Sequence, residues 1–254
     1  MYRRYLDQTA LHQKVSNIEV LHPKVVGGTG VELNQLVGDQ FTSSKRWGKN
    51  LFVQTKKKQT LFMHFGMTGN LDYFSPSVEP PKYSRVVISF DNGYQLAYVS
   101  KRMFGRLGLV ADIDTYVKDK ALGADALDIS EEHFRGALTA KKKNIKAALL
   151  DQGVTAGVGN WIADEILFQS KIYPTTAVQQ LDEQQLQTIY HKMQEVMQVA
   201  IEVDAIRVDL PPHFITHYGR KTAAIDCPRC KNEIEKTEVG GRGTYACEKC
   251  QQEF

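Results

Sequence analysis

The sequence predicts an α+β protein in which the sheet and helical parts are segregated along the chain. Three observations carry that reading. From Val15 to about Val110 the apolar runs are short and rich in β-branched and aromatic residues, with turn signals such as Asp91-Asn-Gly93 between them. From Ser130 to Ile201 the apolar residues fall at helical spacing. The last thirty residues then hold all four cysteines, as two close pairs.

Taken in order, residues 1–14 read as a leading helix with Tyr5, Leu6 and Leu11 on its apolar face. Leu51-Phe-Val-Gln, Thr60-Leu-Phe-Met-His, Arg85-Val-Val-Ile-Ser-Phe and Tyr94-Gln-Leu-Ala-Tyr-Val read as strands of an antiparallel sandwich or barrel. A polar stretch from Asp112 to Asp128 reads as a linker. Ser130 before Glu131-Glu132 caps a helix expected to run through Gln152 and to break at Gly153. A second helix is expected from Asn160 to about Ser170, ending before Tyr173-Pro174. Asp182 with Gln185 forms a capping box for a third, whose stripe of Leu186, Ile189, Tyr190, Met193, Val196, Met197, Ala200 and Ile201 reads as core. Pro211-Pro212 closes this half. The expected domains are therefore 1–112, 125–212 and 217–254.

The 254 residues, 42% hydrophobic and 24% charged, are ordinary globular composition, and no apolar run reaches the length of a membrane span. No targeting segment is legible, so a cytoplasmic location is expected. The net charge of +3 is modest but clumped, at Lys45-Arg46, Lys49, Lys56-Lys57-Lys58, Lys141-Lys142-Lys143 with Lys146, and Arg220-Lys221. Local basic clusters suit a phosphate backbone, although the triple lysine at 56–58 equally suits a solvated hairpin turn.

Cys227-Pro-Arg-Cys230 and Cys247-Glu-Lys-Cys250 are separated by sixteen residues, enough for a β-hairpin that brings two thiolate knuckles to one point. Two disulfides are the alternative, but nothing else resembles a secreted scaffold, so one structural Zn2+ on four cysteines is the reading. Such a cage leaves the metal no open position for catalysis. Thr155-Ala-Gly-Val-Gly-Asn160-Trp161 is a glycine-rich turn entering a helix. It suits either an anion held on bare backbone N–H groups or tight helix packing. With Lys143 and Lys146 upstream and the zinc knuckles downstream, the balance falls toward nucleic acid.

The order of Lys45-Arg-Trp-Gly-Lys49-Asn-Leu-Phe, His64-Phe-Gly-Met67-Thr-Gly69, Lys101-Arg102-Met-Phe104-Gly105, Leu149-Leu-Asp-Gln, Ala156-Gly-Val-Gly-Asn160-Trp-Ile-Ala-Asp-Glu165, His217-Tyr-Gly-Arg220 and the four-cysteine finger resembles the formamidopyrimidine-DNA glycosylase and endonuclease VIII family. The resemblance spans nearly the whole chain. It implies a β-sandwich, a helix-two-turn-helix bundle and a zinc hairpin that clamp damaged double-stranded DNA, extrude an oxidised base, cut its glycosidic bond and nick the strand by β,δ-elimination. A stacked base cannot be attacked at its sugar, so extrusion and filling of the gap are physical necessities. Met67, Arg102 and Phe104 match the family's void-filling trio, and Lys49, Asn160 and Arg242 its phosphate contacts around the flipped nucleotide. His64 and Lys143 are carried with them as DNA-side residues. Without the resemblance, Met67 and Phe104 would read as core and Arg242 as a solvated turn residue.

The family's Pro-Glu-Leu-Pro-Glu-Val-Glu start, with its proline amine as nucleophile and a Glu as acid/base partner, does not occur in these 254 residues. Met1-Tyr-Arg-Arg-Tyr-Leu aligns with the helix that follows it. Three readings stay open: an internal start of an ordinary bifunctional glycosylase/AP lyase, a lesion binder that does not cut, or substitution by the Met1 amine or Lys49. Reduced activity of this chain is the expectation. Glu202 to Pro212 is shorter and stiffer than the family's purine-reading loop, which leaves ring-opened purines, oxidised purines and oxidised pyrimidines all open as substrates. The competing class is a non-catalytic, zinc-dependent DNA-binding protein; either would be a monomer if it follows the family.

Overall fold

The computed structural model describes residues 1–27, 31–218 and 226–252. It divides into two compact units, Met1–Lys120 and Ala121–Phe254. Of the features singled out above, Gly219, Arg220, Lys221 and the Tyr218 side chain lie outside the described residues.

The first unit opens with helix α1 (Tyr2–Thr9), which buries Leu6. The helix stops well before Lys14. His12 turns into the left-handed region at φ +65°, and its N–H is claimed by Phe41 O at 2.8 Å, so the chain leaves the helix to pair with the sheet. Eight strands follow: β1 (Val15–Val20), β2 (Phe41–Trp47), β3 (Asn50–Thr55), β4 (Thr60–His64), β5 (Gly69–Phe74), β6 (Ser84–Phe90), β7 (Gln95–Ser100) and β8 (Arg106–Val110). They form two antiparallel four-stranded sheets, β1-β6-β7-β5 and β2-β3-β4-β8. Ile18, Leu71, Val86, Ile88, Leu96 and Tyr98 from the first share one core with Phe41, Leu51, Val53, Leu61, Met63 and Leu107 from the second, so the sandwich stands. Asp91-Asn-Gly93 makes the β6–β7 turn, with Gly93 at φ +85°. Lys56-Lys57-Lys58 is the exposed β3–β4 turn.

Strand β3 is buried on nearly every residue, because the stretch after Asp112 is not the plain linker expected. It contains helix α2 (Ile113–Asp119), capped by Asp112 accepting the Thr115 N–H at 2.8 Å. Tyr116 on that helix lies edge-on to Phe52, with ring centres 5.3 Å apart, and beside Phe62 at 5.0 Å. It therefore covers the face of β3 and β4 that points away from the sandwich core.

The second unit holds α3 (Glu131–Thr139), α4 (Ile145–Leu150), α5 (Asn160–Ser170), α6 (Glu183–Glu202), β9 (Glu235–Val239) and β10 (Arg242–Ala246). Ser130 caps α3 as expected, but the single helix through Gln152 is in fact two. Asn144 Oδ1 accepts the Ala147 N–H at 2.8 Å and starts α4 afresh. The break is pinned from outside: Ile145 N–H donates to Thr176 O at 2.8 Å, and Val178 N–H donates to Lys143 O at 3.1 Å. A side-chain cap plus two strand-like bonds outcompete helical continuation. The Asp182–Gln185 capping box is present, and Leu186, Ile189, Met193 and Val196 of α6 meet Phe134, Ile145, Leu149, Ile162 and Ile166 in the helical core. The β9–β10 hairpin packs on this unit through a small core of Phe168, Ile215, Ile234 and Tyr245. Among the described residues no helix is long and apolar enough to cross a membrane.

Candidate nucleic-acid interface and zinc centre

In the first unit the turn from His64 to Gly69 and the loop from Lys101 to Gly105 are locked together. Tyr98 donates from its hydroxyl to His64 O at 2.7 Å. A Cβ on Gly66 would come within 2.9 Å of Gly105 N, one on Gly69 within 2.2 Å of Phe65 O, and one on Gly105 within 1.9 Å of the Tyr98 hydroxyl. Only glycine fits at these approaches. Arg106 ties the same loop by donating from Nη1 to Met103 O at 2.9 Å and Gly105 O at 2.7 Å. Arg102 donates its N–H to Thr68 Oγ1 at 3.4 Å.

This locking brings Met67, Arg102 and Phe104 to one edge of the sandwich. Met67 is 64% exposed and Phe104 54%, an unusual state for large apolar groups beside a well-filled core. The Arg102 guanidinium lies 4.7 Å from the centre of the Phe104 ring, a cation–π stack standing in solvent.

Nearby is a cavity of about 290 Å3 lined by Tyr2, Arg46, Lys49, Asn50, His64 and Phe65, among others. Arg46 Nη1 donates to Gly48 O at 2.8 Å and orders the β2–β3 turn that carries Lys49. His64 is half-buried, and its Nδ1 accepts the Gly66 N–H at 3.3 Å. Burial pushes the His64 pKa below its ordinary value, and the Lys49 and Arg106 charges lower it further. Its ring is therefore neutral at pH 7.

In the second unit Asn160 opens α5 and donates from Nδ2 to Gly243 O at 2.8 Å. That bond sets it beside Arg242, which is exposed at the start of β10 after Gly240 and Gly241, both at positive φ. Lys146 departs from the sequence reading. It is wholly buried, 2.7 Å from Asp164, with its ammonium also donating to Gly243 O at 3.2 Å and to the Thr244 hydroxyl. A cation so enclosed binds the hairpin rather than a phosphate. Lys143 reaches Asp151 at 3.2 Å, which also holds Lys141 at 3.1 Å. Burial pushes the Asp151 carboxyl up, but the Gly153 N–H and the two lysines outweigh it and hold it below the usual range.

The four cysteine sulfurs all lie within 4.8 Å of one another. The Cys227–Cys250 and Cys230–Cys247 sulfurs are 3.8 and 3.5 Å apart, far beyond a disulfide bond. A tetrahedron with Zn–S near 2.3 Å requires sulfurs about 3.8 Å apart, so the donor set fits zinc. The Asn232 N–H, together with neighbouring thiols, pulls Cys230 down to about 7, whereas burial raises Cys247 and Cys250. Four crowded thiols cannot all ionise without a cation among them. Cys227, Cys230, Cys247 and Cys250 thus hold one structural zinc.

A β-sandwich with an exposed guanidinium–aromatic edge, joined in sequence to a helical unit carrying a zinc hairpin, defines a two-part, zinc-bearing α+β protein. Residues 1–107 match the formamidopyrimidine-DNA glycosylase N-terminal domain, 122–211 the formamidopyrimidine-DNA glycosylase H2TH domain, and 226–252 the zinc finger found in FPG and IleRS. The chain is 32% identical to the formamidopyrimidine-DNA glycosylase of Streptococcus mutans over 265 residues, covering 99% of this chain and 96% of that protein. It is 31% identical to the Arabidopsis thaliana formamidopyrimidine-DNA glycosylase, covering 95% of this chain but 66% of the longer plant protein. It superposes with a TM-score of 0.87 at 29% identity on Lactococcus lactis Fpg in complex with DNA containing an abasic site, covering 99% of this chain and 97% of that one. The chain belongs to the formamidopyrimidine-DNA glycosylase family, and its function is that of a DNA-repair glycosylase.

The sequence had no signal that Arg46 and Arg106 order the loops presenting Lys49 and Phe104. Each bonds backbone carbonyls close to itself in the chain, and in the sequence Arg46 reads only as part of a basic cluster and Arg106 as a strand residue after a glycine.

Proposed function

We propose that this protein is a bifunctional glycosylase and AP lyase that extrudes an oxidised base from duplex DNA, with ring-opened purines, oxidised purines and oxidised pyrimidines all open as its substrates. The observation that carries this reading is the solvent-facing trio of Met67, Arg102 and Phe104 on one locked edge. Met67 is an apolar wedge for the gap left by an extruded nucleotide, Arg102 supplies donors to the orphaned base, and Phe104 packs against the neighbouring pair. Lys49 and His64 take the phosphates beside the cavity, while Asn160, Arg242 and Lys143 take phosphates in the second unit. Zinc fixes the hairpin from which Arg242 projects.

Lyase chemistry requires an amine. Its attack on the sugar C1′ releases the base, and the resulting imine acidifies the C2′ proton so that the 3′ phosphate can leave. Lys49, with its side-chain amine, and Met1, with its α-amine, both border the cavity. Borohydride reduction of the protein on a duplex with an abasic site tests the reading, because it fixes any imine as a stable crosslink. A crosslink that maps to an amine bordering the cavity supports it. Tight lesion binding without a crosslink favours the second reading, a lesion binder that does not cut, for which the same exposed trio argues equally.

A further inference from the structure

Helix α1 reaches strand β5 through two tyrosine hydroxyls. Tyr2 Oη donates to Gly69 O at 2.7 Å, and Tyr5 Oη accepts the Tyr73 N–H at 2.7 Å. Strand β5 lies at the edge of its sheet, where backbone groups have no neighbouring strand to bond, and the two tyrosines stand in for one. On its other side α1 is tied to β2, the edge strand of the second sheet, which leads into the Lys49 turn. Arg3 Nε donates to Ser44 Oγ at 3.2 Å, and Ser44 Oγ donates to Asp7. One short helix therefore braces two edge strands that belong to different sheets.

The Tyr2 bond acts at a different place from the Tyr5 bond. Gly69 is buried and closes the turn that begins at His64 and presents Met67. Tyr98 holds the first carbonyl of that turn, His64 O, and Tyr2 holds the last, Gly69 O. The Phe65 ring packs on both tyrosines, with centres 4.0 Å from Tyr2 and 5.8 Å from Tyr98. Inside the turn the Gly69 N–H donates to Phe65 O at 2.8 Å. Burial raises the pKa of both phenols, so both remain neutral donors at pH 7. Tyr73, the partner of Tyr5, lies toward the far end of β5, away from the turn.

A side chain that enters a base stack needs a base that does not yield. A turn left loose at one end would have to be ordered on binding, at the expense of affinity for the distorted site. Met67 stands in solvent, so the backbone of the turn sets its direction. We infer that Tyr2 is a positioning residue for lesion selection, its hydroxyl fixing the Gly69 end of the turn so that Met67 is pre-set before it enters the stack. The inference rests on the void-filling reading of Met67 and adds to it the residue, outside the trio and on another element, that makes the wedge rigid.

The test compares Tyr2→Phe with Tyr5→Phe in the intact protein. Each change removes one hydroxyl bond between α1 and β5 and keeps the ring, so a role in docking the helix would show in both alike. Amide exchange in the free protein reads the turn, and the ratio of abasic-duplex to undamaged-duplex affinity reads its consequence. Tyr2→Phe should speed exchange of the Gly69 N–H and lower that ratio about two- to tenfold, the scale of one neutral hydrogen bond, with undamaged affinity unchanged. Tyr5→Phe should leave Gly69 exchange and the ratio where they are. Equal effects of the two changes, unaltered Gly69 exchange in Tyr2→Phe, or faster exchange with an unaltered ratio would each overturn the inference. Met67→Ala in parallel tests the reading beneath it. If the abasic preference survives Met67→Ala, the void-filling role fails and lesion selection by Tyr2 falls with it. If the preference is lost in Met67→Ala but kept in Tyr2→Phe, the role of Tyr2 fails alone.

Discussion

Lys146 Nζ stands 2.7 Å from Asp164 Oδ1 with both side chains sealed from solvent, and each partner also holds the zinc hairpin. Lys146 donates to Gly243 O, and Asp164 Oδ2 accepts the Tyr245 N–H at 3.3 Å. Removing one member leaves an uncompensated buried charge. Lys146→Met should cost about 3–5 kcal/mol in urea unfolding, and Lys146→Met with Asp164→Leu distinctly less than the sum of the two single losses. Additive losses would mean that the two charges do not depend on each other.

Chelation should separate the two halves of the protein's behaviour. Metal analysis of the purified protein should give one zinc per chain. Stripping it removes about 10–16 kcal/mol of apparent binding energy, on the scale of small zinc modules, so duplex affinity should collapse. The near-ultraviolet signal from Phe52, Phe62 and Tyr116, whose rings pack within the first unit, should persist. Loss of that signal together with zinc would show that the sandwich depends on the metal.

Met67→Ala and Arg102→Ala should leave affinity for undamaged duplex within about threefold and remove most of the preference for a lesion or abasic site. Both side chains are exposed, so neither change opens a core cavity. Equal weakening on both duplexes, measured by fluorescence anisotropy, would instead favour a plain DNA-binding module.

His64 gives a pH dependence with a definite sign. Burial and two nearby cations hold its pKa below 6.5 in the free protein, so the ring is neutral at pH 7. A phosphate placed beside it favours the charged form and raises its pKa in the complex. Binding then takes up a proton, and abasic-duplex affinity should rise as pH falls from 7.5 toward 5.5, levelling off below the free-protein pKa. His64→Gln should flatten that rise. The same group affects folding: the unfolded chain binds more protons between its pKa near 6.5 and the lower folded value, so stability decreases as pH falls through that window.

Gly105→Ala should misplace the presenting loop, since its Cβ would sit 1.9 Å from the Tyr98 hydroxyl and 2.6 Å from His64 O. Tyr98→Phe clears only the first clash, so the double variant should recover part of the stability and little of the lesion preference. Full recovery of both by Tyr98→Phe would show that the hydroxyl, and not the backbone, fixes the loop.

Periodicity and short-range chemistry determined much of this protein in advance. Short β-branched and aromatic runs between turns, the Asp182–Gln185 box and the Cys-x2-Cys pairs are local patterns, and each appears where its residues placed it. The ordered motifs gave the family for the same reason, because each names a residue type at a fixed offset. What the sequence could not show depended on partners distant in the chain. Residues 1–14 carry a helical pattern, yet Phe41 ends the helix by taking the His12 N–H. Residues 131–152 carry the pattern of one helix, yet Thr176 and Val178 bond the backbone of Ile145 and Lys143 and hold it broken there. Lys146 is indistinguishable in sequence from the basic run before it, and only its placement beside Asp164 and Gly243 makes it a buried tie instead of a phosphate contact. A charge shows its type in the sequence but not its surroundings, and it is burial and pairing, both set by the tertiary fold, that decide what the charge does.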